Sequence, residues 1–168
     1  MVKTVLVTYA SQTQATAEVA EFIGETLEKQ GFMVTVKPVT QVSDLNRYQA
    51  LVIGSGVKME KTYREAQEFL KRSRQELLQK KFATFVTCAS LSKYTAENQG
   101  KAQKYANQLA EAAATQPLSQ GLFAGRMDMS RVKGLMGMLM RKAATQAEDW
   151  RDWDAIQAWS IDLAQQLS

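Results

Sequence analysis

Three hydroxyls fall within six residues, Ser11-x-Thr13-x-x-Thr16, between an apolar run and an amphipathic one. Residues 2–9 (Val-Lys-Thr-Val-Leu-Val-Thr-Tyr) read as a buried strand, residues 10–16 as a short hydroxyl-rich loop, and Ala17 onward as the opening of a helix. A strand that runs through hydroxyls into a helix N-terminus suits one chemistry in particular. The unpaired N–H groups and the positive end of the helix dipole attract a phosphate dianion, and Ser or Thr oxygens complete its shell. The alternative is a plain Ser/Thr cap, which satisfies the helix N–H groups with no ligand. On the loop alone both readings stand.

Composition narrows the chemistry. The 168 residues contain no histidine and one cysteine, Cys88. Ser-His catalysis, imidazole acid–base chemistry and thiolate or histidine metal cages are excluded, so no metal site is expected. An oxidoreductase built from these residues needs a cofactor for its chemistry. A single thiol forms no internal disulfide, and the start of the chain lacks a signal-peptide pattern. The expected location is therefore the cytoplasm. No apolar run approaches the ~20 residues of a membrane span. The length fits one domain over residues 1–168.

The elements that must position the loop alternate along the chain. Strand-like runs lie at residues 2–9, 32–37, 48–53, 82–87 and 118–125. Gly54-Ser55-Gly56 closes the third. Helical patterns lie at 18–30, 62–79, 95–115 and 153–167, with Asp152 as the expected N-cap of the last. Apolar strands alternating with amphipathic helices imply parallel pairing with right-handed crossovers. The expected fold is an α/β three-layer sandwich with a five-stranded parallel sheet, order 2-1-3-4-5, and a helical insertion between strand five and the last helix. In such a sheet, ligands sit beyond the carboxyl ends of the strands at the switch point. Residues 10–16, 54–60 and 88–98 meet there.

Ser11-x-Thr13-x-x-Thr16 resembles the phosphate loop of flavodoxins, with Gln14 where those proteins usually carry Gly, and the alternating pattern extends the resemblance to the whole chain. The resemblance implies FMN. Its phosphate would meet Ser11, Thr13 and Thr16 and the amides from Gln12 through Gln14 to Ala15. Ser55, Gly56 and Val57 would bring backbone to the ring from one side, with Ala89, Ser90 and Leu91 lining the opposite edge. Tyr94 is the nearest aromatic for stacking, its alternative being plain solvent exposure. Lys58 could place a positive charge near the ring or a substrate carboxylate, or be a solvated lysine. Cys88 reads as a small core residue. Trp159 is core by spacing; core packing is also the default for Trp150 and Trp153, with anchoring the insertion or shielding the site as the alternatives.

The insertion, residues 127–151, is far longer than the usual ~4–6-residue connection. Within it, residues 131–142 read as a short helix with Val132, Leu135, Met136 and Leu139 on one stripe. From Arg126 to Lys142 the chain carries five basic residues and one acidic one, a net of +4 that equals the charge of the whole chain. The basic character is thus local. A basic helix with a Met/Leu face suits an anionic membrane surface or a hydrophobic partner; packing on its own domain is the alternative. Nucleic acid is not expected, because basic and aromatic residues do not interleave.

The basic, methionine-rich insertion, Val52-Ile53-Gly54-Ser55-Gly56 and Asp152-Trp153 together resemble the menaquinone-dependent protoporphyrinogen IX dehydrogenase family. That resemblance implies an FMN enzyme passing electrons from a protoporphyrinogen IX-like substrate to a quinone, peripheral on the inner face of the cell membrane. Lys58, Arg126, Arg131, Lys133, Leu135, Met136 and Leu139 would then face substrate or membrane. A flavodoxin-type electron carrier that turns over no small molecule is the rival reading, and a flavin-free interaction domain is a third.

Overall fold

The computed structural model describes residues 2–127, 134, 135, 138 and 148–168. In chain order the elements are β1 (Thr4–Ala10), α1 (Gln14–Lys29), β2 (Met33–Pro38), β3 (Ala50–Lys58), β4 (Lys61–Thr62), α2 (Arg64–Arg72), α3 (Arg74–Leu77), β5 (Lys81–Cys88) and α4 (Ala96–Ala113), followed by β6 (Gln120–Ala124), β7 (Arg126–Met127), β8 (Glu148–Asp149) and α5 (Trp153–Leu167). Five strands make one parallel sheet in the order β2-β1-β3-β5-β6. Counting only those five strands, this is the expected 2-1-3-4-5 order. Strand β4 folds back antiparallel on the end of β3.

Both faces of the sheet are apolar, so both must be covered. Along β1, Val5 and Val7 point to one face, where Val19, Ile23 and Leu27 of α1 and Ile156, Leu163 and Leu167 of α5 cover them. Leu6 points to the other face, where Phe69 and Leu70 of α2 and Tyr105 and Leu109 of α4 complete the core. Ala66, Phe69 and Leu70 of α2, Ala102, Tyr105, Ala106, Leu109 and Ala113 of α4, and Ile156, Leu163 and Leu167 of α5 are buried, as helical spacing requires. Trp159 is the exception. It is half-buried at the rim of its core, where its indole N–H donates to Ser119 Oγ at 2.9 Å. A tryptophan in the dry interior would have left that donor unpaired.

Several boundaries move for identifiable reasons. Helix α1 begins at Gln14, not near Glu18, so Ala15 and Thr16 belong to its first turn. Pro38 ends β2 instead of stopping it earlier, because β2 is an edge strand and that position needs no further N–H donor. The helix expected over 62–79 is two helices broken at Ser73 (φ −99°, ψ 9°).

The largest correction concerns Gly54-Ser55-Gly56, which does not close β3 but lies within it. A Cβ on Gly54 would fall 2.0 Å from the Phe85 ring on the neighbouring strand. Glycine is there for close packing across the sheet. The strand runs on to Lys58 because β4 pairs with it through a two-residue turn, Met59-Glu60, both residues in the left-handed region (φ 51° and 63°). Such hairpin turns normally advertise themselves with Asn or Gly. Here Gln108 of α4 holds the hairpin instead: its Oε1 accepts from the Thr62 N–H at 2.9 Å, and its Nε2 donates to the Glu60 carbonyl at 3.1 Å.

Candidate cofactor site

The carboxyl ends of β1, β3, β5 and β6 converge on one side of the sheet and wall a cavity of about 210 Å3. Its lining includes Thr13, Ala15 and Thr16 from the start of α1, Gly56 and Val57 from β3, Thr87 and Cys88 from β5, and Arg126. Tyr63 separates it from a smaller cavity of about 110 Å3 lined by Tyr9, Ser11 and Gln12. The three expected loops do meet here. The end of β6 joins them.

The three hydroxyls have different tasks. Ser11 Oγ accepts from the Thr13 N–H at 3.1 Å and donates to the Thr13 carbonyl, so it folds the loop. Thr16 is 1% exposed and shares a 2.7 Å hydrogen bond with Thr87 Oγ1. It joins α1 to β5 at the cavity floor. Thr13 is the N-cap residue in extended backbone, yet its side chain caps no helix N–H, and the first turn carries no acidic residue. The amino end of α1 therefore opens onto the cavity with its donors uncapped by side chains, the arrangement a phosphate group requires. Gln14 occupies the first helical position and is exposed, so the helix forms there without glycine.

On the ring side, Ser55 is fully buried. Its Oγ accepts from the Tyr63 N–H at 2.9 Å and donates to the Gly56 carbonyl at 2.7 Å. Ser55 thus shapes the wall and does not offer its hydroxyl to a ligand. A Cβ on Gly56 would lie 2.7 Å from the Tyr63 ring and 3.1 Å from Thr16 Oγ1, so only glycine fits between them. Lys58 Nζ donates to Gln12 Oε1 at 3.3 Å and ties the β3 end to the first loop. Ala89 is exposed, Ser90 half-buried, and Tyr94 exposed at 69%, whereas Leu91 turns into the core at 2%. Leu91 can contribute only its backbone to this rim. Burial pushes the Cys88 thiol pKa up, against the opposing pull of the Leu91 and Ser90 amides. Burial also raises Tyr63, with Glu65 adding to it and a bond at the Gln12 backbone opposing.

The base of the insertion is pinned beside this cavity. Strand β7 pairs with β8, Arg126 opposite Asp149, and the Trp150 N–H donates to the Gly125 carbonyl at 3.1 Å. Arg151 holds the joint. Its Nε and Nη2 donate to Asp149 at 2.9 and 2.7 Å, and its Nη1 pairs with Glu18 and reaches the Ala15 carbonyl at 3.4 Å. Its guanidinium lies 4.7 Å over the Trp153 ring, and Trp153 packs edge-on against Phe22 of α1. Trp150 is partly buried against the core. Both tryptophans pack against the core, Trp150 beside β8 and Trp153 at the start of α5. The Asp149 carboxyl is held below the usual carboxylate range, chiefly by its hydrogen bond from Arg151.

Of the insertion's expected contact residues, Leu135 is described and is 74% exposed, as Met138 is at 53%. Arg131, Lys133, Met136 and Leu139 lie outside the described residues. Among the described residues, no helix is long and apolar enough to cross a membrane. Sequence reasoning missed Tyr63, Thr87 and Gly125 as parts of the wall, and it assigned Arg126 to substrate or membrane contact. Thr87 was findable, because it stands at the carboxyl end of an inner parallel strand. Tyr63 was not, because the hairpin that brings it back carries no turn signature.

The residues present fit a phosphorylated cofactor. An uncapped helix end, its N-cap Thr13 and Arg126, whose buried Nε has no hydrogen-bond partner, line one cavity. The flavodoxin domain family matches residues 6–154. Comparison with curated proteins gives no match. Among solved structures, a flavodoxin from the domain Archaea superposes with a TM-score of 0.61 at 17% identity, over 98% of each chain. Oxidised flavodoxin 1 from Bacillus cereus gives 0.64 at 14%, over 99% of this chain and 100% of that one. A flavo di-iron protein from Thermotoga maritima gives 0.61 at 15%, over 98% of this chain but 36% of that one. At such identities the structural likeness carries the fold. The family match covers most of the chain: it belongs to the flavodoxin domain family, which indicates FMN as its cofactor.

Proposed function

We propose that this chain is an FMN-dependent oxidoreductase that takes electrons from a planar, hydrophobic, carboxylate-bearing substrate of the protoporphyrinogen IX kind and passes them to a quinone at a membrane surface. Bound FMN supplies the redox chemistry, accepting two electrons from one partner and releasing them singly or in pairs. The chain's residues bind and orient it. Thr13 and the first amides of α1 take the phosphate, Gly56 and Val57 approach the ring, and the exposed Tyr94 lies on the opposite loop.

The observation that carries the substrate half is where the insertion begins. Arg126 of β7 stands at the cavity wall and β8 pairs with that strand, so the basic, methionine-rich segment between them leaves and returns beside the cofactor site. Exposed Leu135 and Met138 and a local net charge of +4 suit an apolar ring, its carboxylates, or an anionic lipid surface. A flavodoxin-type electron carrier is the second reading. Its support is the likeness of the fold to flavodoxins over nearly the whole chain.

The test is anaerobic. FMN-loaded protein receives reduced porphyrinogen and a menaquinone analogue, and porphyrin fluorescence is followed. Porphyrin formation above the uncatalysed rate is expected; none from loaded protein leaves the carrier. Deleting residues 129–142 should remove binding to anionic vesicles and its salt dependence.

A further inference from the structure

Four charged side chains cluster beside the start of α1: Glu18, Arg126, Asp149 and Arg151. They balance in number but not in bonding. Asp149 takes two N–H groups of Arg151 and Glu18 takes a third, and the Arg151 side chain is 4% exposed. Arg151 is thereby fully used in holding the fold. Arg126 is not. Among the described residues its one ionic contact is Nη1 to Glu18 Oε2 at 4.0 Å, the loosest pair in the cluster. Its Nε is buried without a hydrogen-bond partner, and its side chain, three-quarters buried, lines the cavity together with Thr13, Ala15 and Thr16. A buried donor on a charged group is costly to leave unpaired, and an anion in the cavity removes that cost.

We propose that the Arg126 guanidinium, delivered by the chain just after β6, is a ligand of the cofactor's phosphate and makes this site select the phosphorylated flavin over the unphosphorylated one. The inference rests on the FMN reading and adds a residue to it. Hydroxyls and helix amides recognise phosphate by hydrogen bonds and the partial charge of the helix end. A guanidinium adds a full charge and paired donors, which strengthen each contact. Riboflavin has the ring and ribityl chain but no phosphate, so it gains nothing from Arg126. Because Arg126 also pairs with Asp149 in the backbone ladder, phosphate binding would brace the base of the insertion from the cofactor side.

The experiment titrates the full chain with FMN and with riboflavin, reading quenching of flavin fluorescence. Arg126→Gln should weaken FMN binding by about tenfold or more, the scale of one charge-assisted contact, and change riboflavin binding by less than about twofold. Arg126→Lys should fall between Arg126→Gln and the parent. A second measurement needs no variant to bind flavin. The Arg126 Nε–H resonance of nitrogen-15-labelled protein, assigned by its loss in Arg126→Lys, should shift on adding FMN or inorganic phosphate and stay put with riboflavin. Equal losses for both flavins, or an unmoved resonance with FMN bound, would overturn the proposal while leaving FMN binding intact. A parent chain that binds neither flavin would overturn both.

Discussion

Two threonines stand at the N-caps of α1 and α4 in nearly the same backbone conformation, Thr13 at φ −126°, ψ 162° and Thr95 at φ −113°, ψ 158°. Thr95 does what such a residue usually does: its Oγ1 accepts from the Asn98 N–H at 3.1 Å, and Glu97 adds a negative charge to the first turn. Thr13 caps nothing, and no acid stands in the first turn of α1. Helix α5 follows the α4 pattern, with Asp152 accepting from the Ala155 N–H at 3.0 Å and Asp154 in its first turn. Two helix ends are thus completed from within the chain, and the third has neither a side-chain cap nor an acidic first turn. The same residue type stands at both kinds of end, and the surroundings decide whether it caps.

The most direct way to break that contrast is to complete α1 from within. Thr13→Asp places a carboxylate where the phosphate would sit. It should lower FMN affinity by roughly 100-fold through like charge and a lost hydroxyl donor, while raising stability by about 0.5–1 kcal/mol as a true cap. Flavin titration and a thermal melt check the two opposite signs together. Unchanged FMN affinity would place the phosphate elsewhere.

Thr16→Val sharpens the division of labour among the hydroxyls. It removes the partner of the buried Thr87 hydroxyl and should cost about 1–3 kcal/mol of stability in a urea titration. Thr87→Val alone should cost a similar amount, and the double variant less than the sum, because both unpaired groups are then gone. Additive losses would show that the pair contributes nothing jointly.

Thr95→Ala is the control at the other helix. Loss of its cap should cost about 0.5–2 kcal/mol with FMN affinity unchanged. An equal effect on FMN binding would erase the distinction between the two helix ends.

The smallest effect is expected at the base of the insertion. Arg151 holds the Asp149 carboxyl below its ordinary pKa of 3.8, so the folded state favours the ionised form. That stabilisation is complete above the unfolded carboxylate range and fades as pH falls through the lower folded value. Melting temperature should therefore decline on acidification from pH 5 towards 2, and Asp149→Asn should flatten part of the decline. Its side chain is 40% exposed, which keeps the contribution modest.

Legibility in the sequence followed the range of the forces involved. The helix stripes, the Asp152 cap and the alternation of strands and helices were readable because each arises from neighbours within a few positions. The hydroxyl-rich strand-to-helix junction was readable for the same reason. The extension of β3 to Lys58 was not, because Met59 and Glu60 occupy left-handed backbone without a turn-forming residue and are held by Gln108, dozens of positions away. Leu91 was misassigned to the ring edge because its loop position is local but its burial in the core is not.

The sequence by itself determined a doubly covered parallel sheet with hydroxyls gathered at one strand-to-helix junction, since hydrophobic periodicity and turn chemistry are written along the chain. Only the tertiary structure decided which hydroxyls remain open to a ligand. Ser11 is taken by its own loop and Thr16 by Thr87, 71 positions on, which leaves Thr13. It also decided that Arg126 belongs to the cavity wall and that Arg151, not Arg126, holds Glu18 and Asp149. Those choices depend on how β6 and the base of the insertion pack against α1, and contacts across more than a hundred positions leave no mark in local sequence.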